Sequence, residues 1–441
     1  MVNYRTPEDW DQWVDQLAET LHARNRWRLS LLIMGIVFAT GRRTVTSWLR
    51  AVGISDNFAD YYYFLQPVGR QVNRIAERLL SLILKHIVIG ERVLFAIDDS
   101  PTKRYGPHVQ GAGIHHNPTP GPADQAYLYG HIWVTISLVL RHPLWKTIGL
   151  PLIGLLYVRA KDICKIPQKH QWTFQTKLEL AVKYFLRLAK IAQEAGKTVW
   201  VVADGAYAKR AFMQPIISVG VVIVSRLRKD AALYDLPPKQ KHRGRGRPRK
   251  YGKKLSLKGK AAHHKGWKAT ECHVYGKTAI KQFKTFLAAY PPAGRVIRVV
   301  IVKEDHGSQF FFCTDPDATV EQIIEAFADR ASIEQDFHDV KEVWGAGQQQ
   351  VRVIWTNIAC FNLNLWVQTL VECWAWNKKV EEIRDRHASP WDDPDRRPSH
   401  ADRRKALRRN TIRNQFSTLA TSQRQSSKIR AIYDLLLRLA A

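Results

Sequence analysis

Four carboxylates stand out as the residues of this chain suited to chemistry: the pair Asp98-Asp99, Asp204 and Glu334. The pair ends the β-type run Arg92–Ile97 (RVLFAI), and Asp204 ends the run Thr198–Ala203 (TVWVVA). Side chains at strand ends are held by a packed scaffold, which gives a site precision. Glu334 lies in the stretch from Thr319 to Lys341. That stretch reads as one helix, because apolar residues recur at three and four spacings without Gly or Pro. Phe327, Arg330, Glu334 and Lys341 then share a stripe roughly 60° wide at about 100° per residue. Three acids from three elements would offer hard oxygen ligands to Mg²⁺, an ion that binds one or two carboxylates and keeps several waters. Two such ions can activate a water or a 3′-hydroxyl and stabilise the leaving oxygen of an in-line phosphoryl transfer. Plainer roles are open to each acid: N-caps at the strand ends, and an i,i+4 Arg–Glu pair on a solvated helix face.

Charge narrows the choice of partner. The 441 residues carry 68 Lys and Arg against 39 Asp and Glu, a formal net charge of +29. Such an excess implies a polyanion, nucleic acid first among them, and would offset repulsion between the acids and a DNA backbone. Hydrophobic content of 45% indicates a folded chain. The five cysteines are scattered without a CxxC pair, which fits a reducing cytoplasm and argues against structural zinc. His115-His116 and His263-His264 read as loop residues lacking a second ligand pair at usable spacing. No phosphate-binding Gly-x-x-x-x-Gly-Lys-Ser/Thr loop occurs, so ATP is not expected. The apolar runs Leu31–Ala39 and Ile148–Val158 are too short to span a bilayer, and the N-terminus lacks a secretory pattern, so a cytoplasmic, nucleoid-associated protein is expected.

The elements that must position the acids follow from periodicity. Residues 1–90 read as helical. Within them Thr44, an N-cap, and Gly53, a stop, bound a short helix before a second at Phe58–Leu65. With Arg42, Arg43 and Arg50 beside it, this pair suits either a helix-turn-helix or a plain helical hairpin. Strands are expected at Arg92–Ile97, His131–Leu140, Leu150–Val158, Thr198–Ala203 and Val219–Ser225, with a helix at Lys177–Ala195. Alternation of this kind suggests an α/β or mixed-sheet domain. Pro237–Lys268 contains 13 Lys or Arg and no acid, so it reads as an arm that orders on a polyanion. Inside it Arg245, Arg247, Arg249 and Lys250 form an Arg-Gly-Arg-Pro-Arg-Lys segment resembling an AT-hook, suited to a narrow minor groove or to general phosphate attraction. A hairpin at Arg295–Lys303 and Gln309–Thr314 follows, then helices with a Trp-rich, core-like stretch at Val353–Trp376 and a basic tail.

Phe327-x2-Arg330-x3-Glu334-x6-Lys341 resembles the Y-x2-R-x3-E-x6-K signature of bacterial insertion-sequence transposases of the DDE superfamily, with Phe in place of Tyr. Ile97-Asp98-Asp99-Ser100 resembles the family's first-Asp motif, and Asp204-Gly205-Ala206-Tyr207 its second, Asp-Gly-x-Tyr. The resemblance spans roughly residues 90 to 350. It implies an α/β, ribonuclease H-like core interrupted by a strand-containing insertion and flanked by helical N- and C-terminal regions. The expected divisions are 1–90, 91–235, 236–295, 296–345 and 346–441. It further implies Asp99, Asp204 and Glu334 as catalytic ligands of two Mg²⁺ ions, for which Mn²⁺ substitutes, and Arg330 and Lys341 as DNA contacts. The family's placement of the acid directly before Thr or Ser favours Asp99; the residues alone leave Asp98 open. Lys103 and Arg104 could approach the backbone or be solvated loop charges. The implied activity is cleavage of transposon ends and joining to double-stranded target DNA, by a homodimer on paired ends. A DNA-binding descendant that no longer cuts, and a nuclease without strand transfer, are the alternatives.

Overall fold

The computed structural model describes residues 4–88, 90–117, 125–237, 250–386, 390–393 and 395–417. Arg245, Arg247 and Arg249 of the AT-hook-like segment, and the tail beyond residue 417, lie outside the described residues. Five helices lead: α1 (Glu8–Ala18), α2 (Ala23–Phe38), α3 (Val45–Ala51), α4 (Phe58–Arg70) and α5 (Val72–His86). Then come β1 (Arg92–Lys103), β2 (Gly113–His116), β3 (Tyr127–His142), β4 (Lys146–Tyr157), α6 (Lys177–Glu194), β5 (Thr198–Ala203), α7 (Arg210–Ser218) and β6 (Val222–Arg226). The basic region and hairpin give β7 (Leu233–Tyr234), β8 (Lys254–Leu255), α8 (Leu257–Ala262), β9 (Lys268–Val274), β10 (Lys277–Tyr290), β11 (Arg295–Glu304) and β12 (Gly307–Cys313). The chain closes with α9 (Val320–Asp329), α10 (Ala331–Glu342), α11 (Ile354–Ala375), α12 (Val380–Ile383) and α13 (His400–Ser417).

One mixed sheet of twelve strands runs through the molecule, in the order β2-β3-β1-β5-β6-β12-β11-β10-β7-β8, with β4 also on β3 and β9 on β10. The strands β4, β3 and β1 are antiparallel, and β1, β5 and β6 are parallel. This mixed sheet, with helical regions before and after it, is the α/β architecture expected. Strands of the region after β6 do not form a separate sheet: β12 pairs with β6 and carries the ladder outward.

Alternation along the central strands sorts side chains onto two faces. Phe95, Ile97, Val201 and Ala203 join the larger apolar core, with Phe185 of α6 edge-on to Phe95 at 5.5 Å. Ala96, Trp200, Val202 and Val224 face a second core built with Phe327 and Ile333 of α9 and α10. The first core also takes in the N-terminal helices and α11, all of whose residues except Trp355 are buried. The crossing of α4 over α11 is close: a Cβ on Gly69 would lie 1.9 Å from the carbonyl oxygen of Trp355.

Three expectations need correction. The 319–341 segment is two helices rather than one. Thr319 starts α9 with a full capping box, and the ladder breaks at Arg330. There the Ser332 hydroxyl donates to the Asp329 carbonyl at 2.8 Å, offering it a partner other than the helix backbone. The Asp98-Asp99 pair does not end its strand either. Pairing with β5 stops at Ile97–Ala203, whereas pairing with β3 continues through Asp98–Thr135 and Asp99–Val134 to Lys103. His115 and His116 belong to β2 rather than to a loop.

Candidate active site

Strand parity separates the two adjacent aspartates. Asp98 continues the series Leu94, Ala96 and lies on the face covered by α9 and α10; Asp99 continues Phe95, Ile97 and faces α6. The last registered pair of the parallel β1–β5 ladder is Ile97–Ala203. One step further, Asp98 stands next to Asp204, whose backbone is still extended at φ −65°, ψ 161°. Asp204 therefore continues Trp200 and Val202 on the same face as Asp98, about one interstrand spacing (about 4.8 Å) away.

Glu334 reaches this pair from α10 through Arg330. The Arg330 guanidinium donates to Asp98 Oδ2 at 2.6 Å and to Glu334 Oε1 at 2.8 Å. It lies 5.4 Å from the centre of the Phe327 ring, so the aromatic residue of the signature supports the cation by its face. Burial pushes the Asp98 carboxyl up to about 6, although Arg330 pulls it the other way. The Asp98 and Arg330 side chains are 21% and 15% exposed and Glu334 58%, so Glu334 is the arm open to solvent. Lys341, two turns along α10, donates to Ser100 Oγ at 2.6 Å. On the opposite helix face, buried Asp336 accepts from Ser137 at 3.1 Å and Gln368 at 3.2 Å, tying α10 to β3 and α11. Burial raises its carboxyl well above the ordinary range.

Asp99 has different company. Lys177, the first residue of α6, donates to its Oδ2 at 2.6 Å, and the Tyr207 hydroxyl lies 3.4 Å from its Oδ1. Burial drives the Tyr207 phenol well up, and the three aspartates push in the same direction, so it stays protonated.

Carboxylates of this kind suit a hard divalent ion. Among the described residues, no three His, Cys, Asp or Glu side chains enclose an ion as they stand, and the Arg330 guanidinium bridges Asp98 and Glu334. Asp98, Asp204 and a rotated Glu334 fit such an ion by donor chemistry and by shared face.

Of the expected DNA contacts, Arg330 and Lys341 lie at this site. Arg42 is exposed and lines a depression with Lys103, Tyr105 and Gly347. Arg43 is half-buried, its main chain bound to Gln348 and Gln349, and burial lowers its basicity. Lys250 is exposed. Arg104 is neither a phosphate contact nor a solvated charge: it is buried, bonding His131 and the carbonyls of Gly347 and Gln349, and burial lowers its pKa to about 10. Lys177 escaped sequence reasoning. Its one signal was a cation in the first turn of a helix, where the dipole favours acids.

The family model described as DDE superfamily endonuclease matches residues 16–285, more than half of the chain. The chain belongs to that family. No curated protein matches it.

Proposed function

We propose that this protein is a DNA transposase that hydrolyses the strand at transposon ends and joins the 3′-ends to target DNA by transesterification. The carrying observation is the adjacency of Asp98 and Asp204 on one sheet face, with Arg330 bridging Asp98 and Glu334. Asp98, Asp204 and Glu334 are our proposed ligands for a divalent ion, Mg²⁺ with Mn²⁺ as substitute and two per site. Asp99 is a positioning residue held by Lys177 and Tyr207. Bound ions would polarise the phosphodiester and activate the attacking oxygen.

The chain's own groups do the rest. Arg330, released from the two acids, presents a planar fork of donors to phosphate oxygens. Lys341 sits beyond Ser100 with its ammonium on the same side. Phe327 keeps the guanidinium on its ring face without a hydroxyl to bond. The AT-hook-like arginines Arg245, Arg247 and Arg249, with Lys250, are proposed minor-groove contacts, and Arg42 and Arg43 are further proposed DNA contacts. Two protomers would act on a pair of ends. Among the described residues no helix is long and apolar enough to cross a membrane.

The test supplies pre-cleaved ends and a supercoiled target plasmid with Mg²⁺. Insertion is expected from the wild type and is lost in Glu334→Ala with DNA binding kept. Nicking without insertion would leave a nuclease, and cutting by Glu334→Ala would overturn the assignment.

A further inference from the structure

A second row of charge crosses the sheet beside the acids. The parallel β5–β6 ladder ends at Ala203–Ser225, so the next step places Arg226 against Asp204 just as Asp98 stands on its other side. Arg226 follows Val222 and Val224 on the face of the second core, the face of the acids. From it a groove opens, lined by Asp204, Lys209, Arg226, Arg228, Lys229 and Lys258 among others. All five cations are exposed. Arg228 pairs with Asp230 at 3.1 Å, and both are largely solvated. For Lys209, Arg226, Lys229 and Lys258, no ion pair with a carboxylate is found among the described residues. Five cations line the groove against the two acids Asp204 and Asp230, which leaves it net positive, a charge that a polyanion relieves.

Resting on the reading of the site as a DNA cutter, we infer that this groove carries the phosphodiester backbone of the strand leaving the active site. Arg226 grips the phosphate next to the scissile one, and Lys209, Lys229 and Lys258 take those that follow. The groove is walled by β6, β12 and α8, so the strands beyond β6 contribute substrate contacts as well as extending the sheet. Ser308, Gln309 and Phe310 of β12 also line the groove.

The test uses the full chain in Ca²⁺, with a fluorescein-labelled 20-nucleotide single strand and a 20-base-pair duplex as probes. Affinity is measured from 50 to 200 mM KCl for the wild type, for Lys209→Gln/Lys229→Gln/Lys258→Gln, and for a control, Lys85→Gln/Lys183→Gln/Lys190→Gln. The control removes the same charge from α5 and α6, which cover the other face. Each lost phosphate contact flattens the salt dependence of log K by about 0.7 on a single strand or 0.9 on a duplex, so the groove variant should lose roughly 2 to 3 from its slope. The control should lose less than one. Arg226→Gln should weaken binding and slow Mg²⁺-dependent nicking of a plasmid at least tenfold, with partial recovery in Arg226→Lys. Equal slopes in groove variant and control, with unchanged melting temperatures, would overturn the inference. Because binding in Ca²⁺ is read without cleavage, groove-dependent slopes in a protein that never nicks DNA would keep the groove as a path for a nucleic-acid backbone while sinking both the transposase reading and the assignment to a strand leaving an active site.

Discussion

Replacing Asp98 and Asp99 one at a time by Asn tests the central geometric argument. The two carboxylates are adjacent in sequence but point to opposite faces of β1. Asp98→Asn removes a proposed metal ligand and the main partner of Arg330, leaving the guanidinium its 2.8 Å bond to Glu334. Asp99→Asn removes only the acceptor of Lys177, a pair whose side chains are 36% and 26% exposed. A pair so accessible contributes at most about 1 kcal/mol, so the Asp99→Asn protein should fold and keep its metal response. At a metal concentration ten times the dissociation constant, binding stabilises the native state by about 1.4 kcal/mol. For a chain of this length that is a rise in Tm of about 1.5 °C, using roughly 2.1 cal/mol/K of unfolding entropy per residue. Differential scanning calorimetry with Mn²⁺ should therefore show the rise in wild type and Asp99→Asn and none in Asp98→Asn. Plasmid nicking should follow the same order: within tenfold of wild type for Asp99→Asn, undetectable for Asp98→Asn. The reverse order in both assays would refute the parity argument and restore Asp99 as the ligand.

Three further outcomes follow from the packing. Gly69→Ala should destabilise the fold by about 3 kcal/mol in urea titration, because its Cβ would meet the Trp355 carbonyl where α4 crosses α11. Glu372→Gln should cost about 3–5 kcal/mol by the same measurement, since buried Arg403, 2.9 Å from Glu372, would lose its carboxylate. His115 is held down to about 4, first by burial and then by Arg159 and Lys177. A lowered folded pKa means its contribution is complete above the unfolded value of about 6.5 and is lost as pH falls toward 4. The shift corresponds to about 3 kcal/mol at most. His115→Gln should flatten the stability curve between pH 6.5 and 4 by this amount, and an unchanged slope would exclude the residue as its source.

Much of this molecule was legible without coordinates, and the reason is periodicity. Thr198–Ala203 is a strand with the bounds expected, since a run of β-branched and aromatic residues between Gly196 and Asp204 admits little else. The capping boxes at Thr176 and Thr319 announce their helices through a local hydrogen-bond exchange that needs no tertiary partner. The charge of +29 and the spacing of Phe327, Arg330, Glu334 and Lys341 likewise belong to composition and order.

What the linear order could not decide was facing. Asp98 and Asp99 have the same chemistry, and only the register of β1 against β5 sets Asp98 beside Asp204 and turns Asp99 toward Lys177. Arg104 carries a charge that local pattern assigns to solvent, yet the loop at Gly347–Gln349 arrives from more than 240 residues away to supply carbonyls for it. Arg226 becomes a neighbour of Asp204 through the β5–β6 ladder, a relation set by α7 returning the chain in parallel. Residue type and local spacing determine which elements form; which side chains meet depends on pairing between distant strands, where the energy comes from contacts no local window contains.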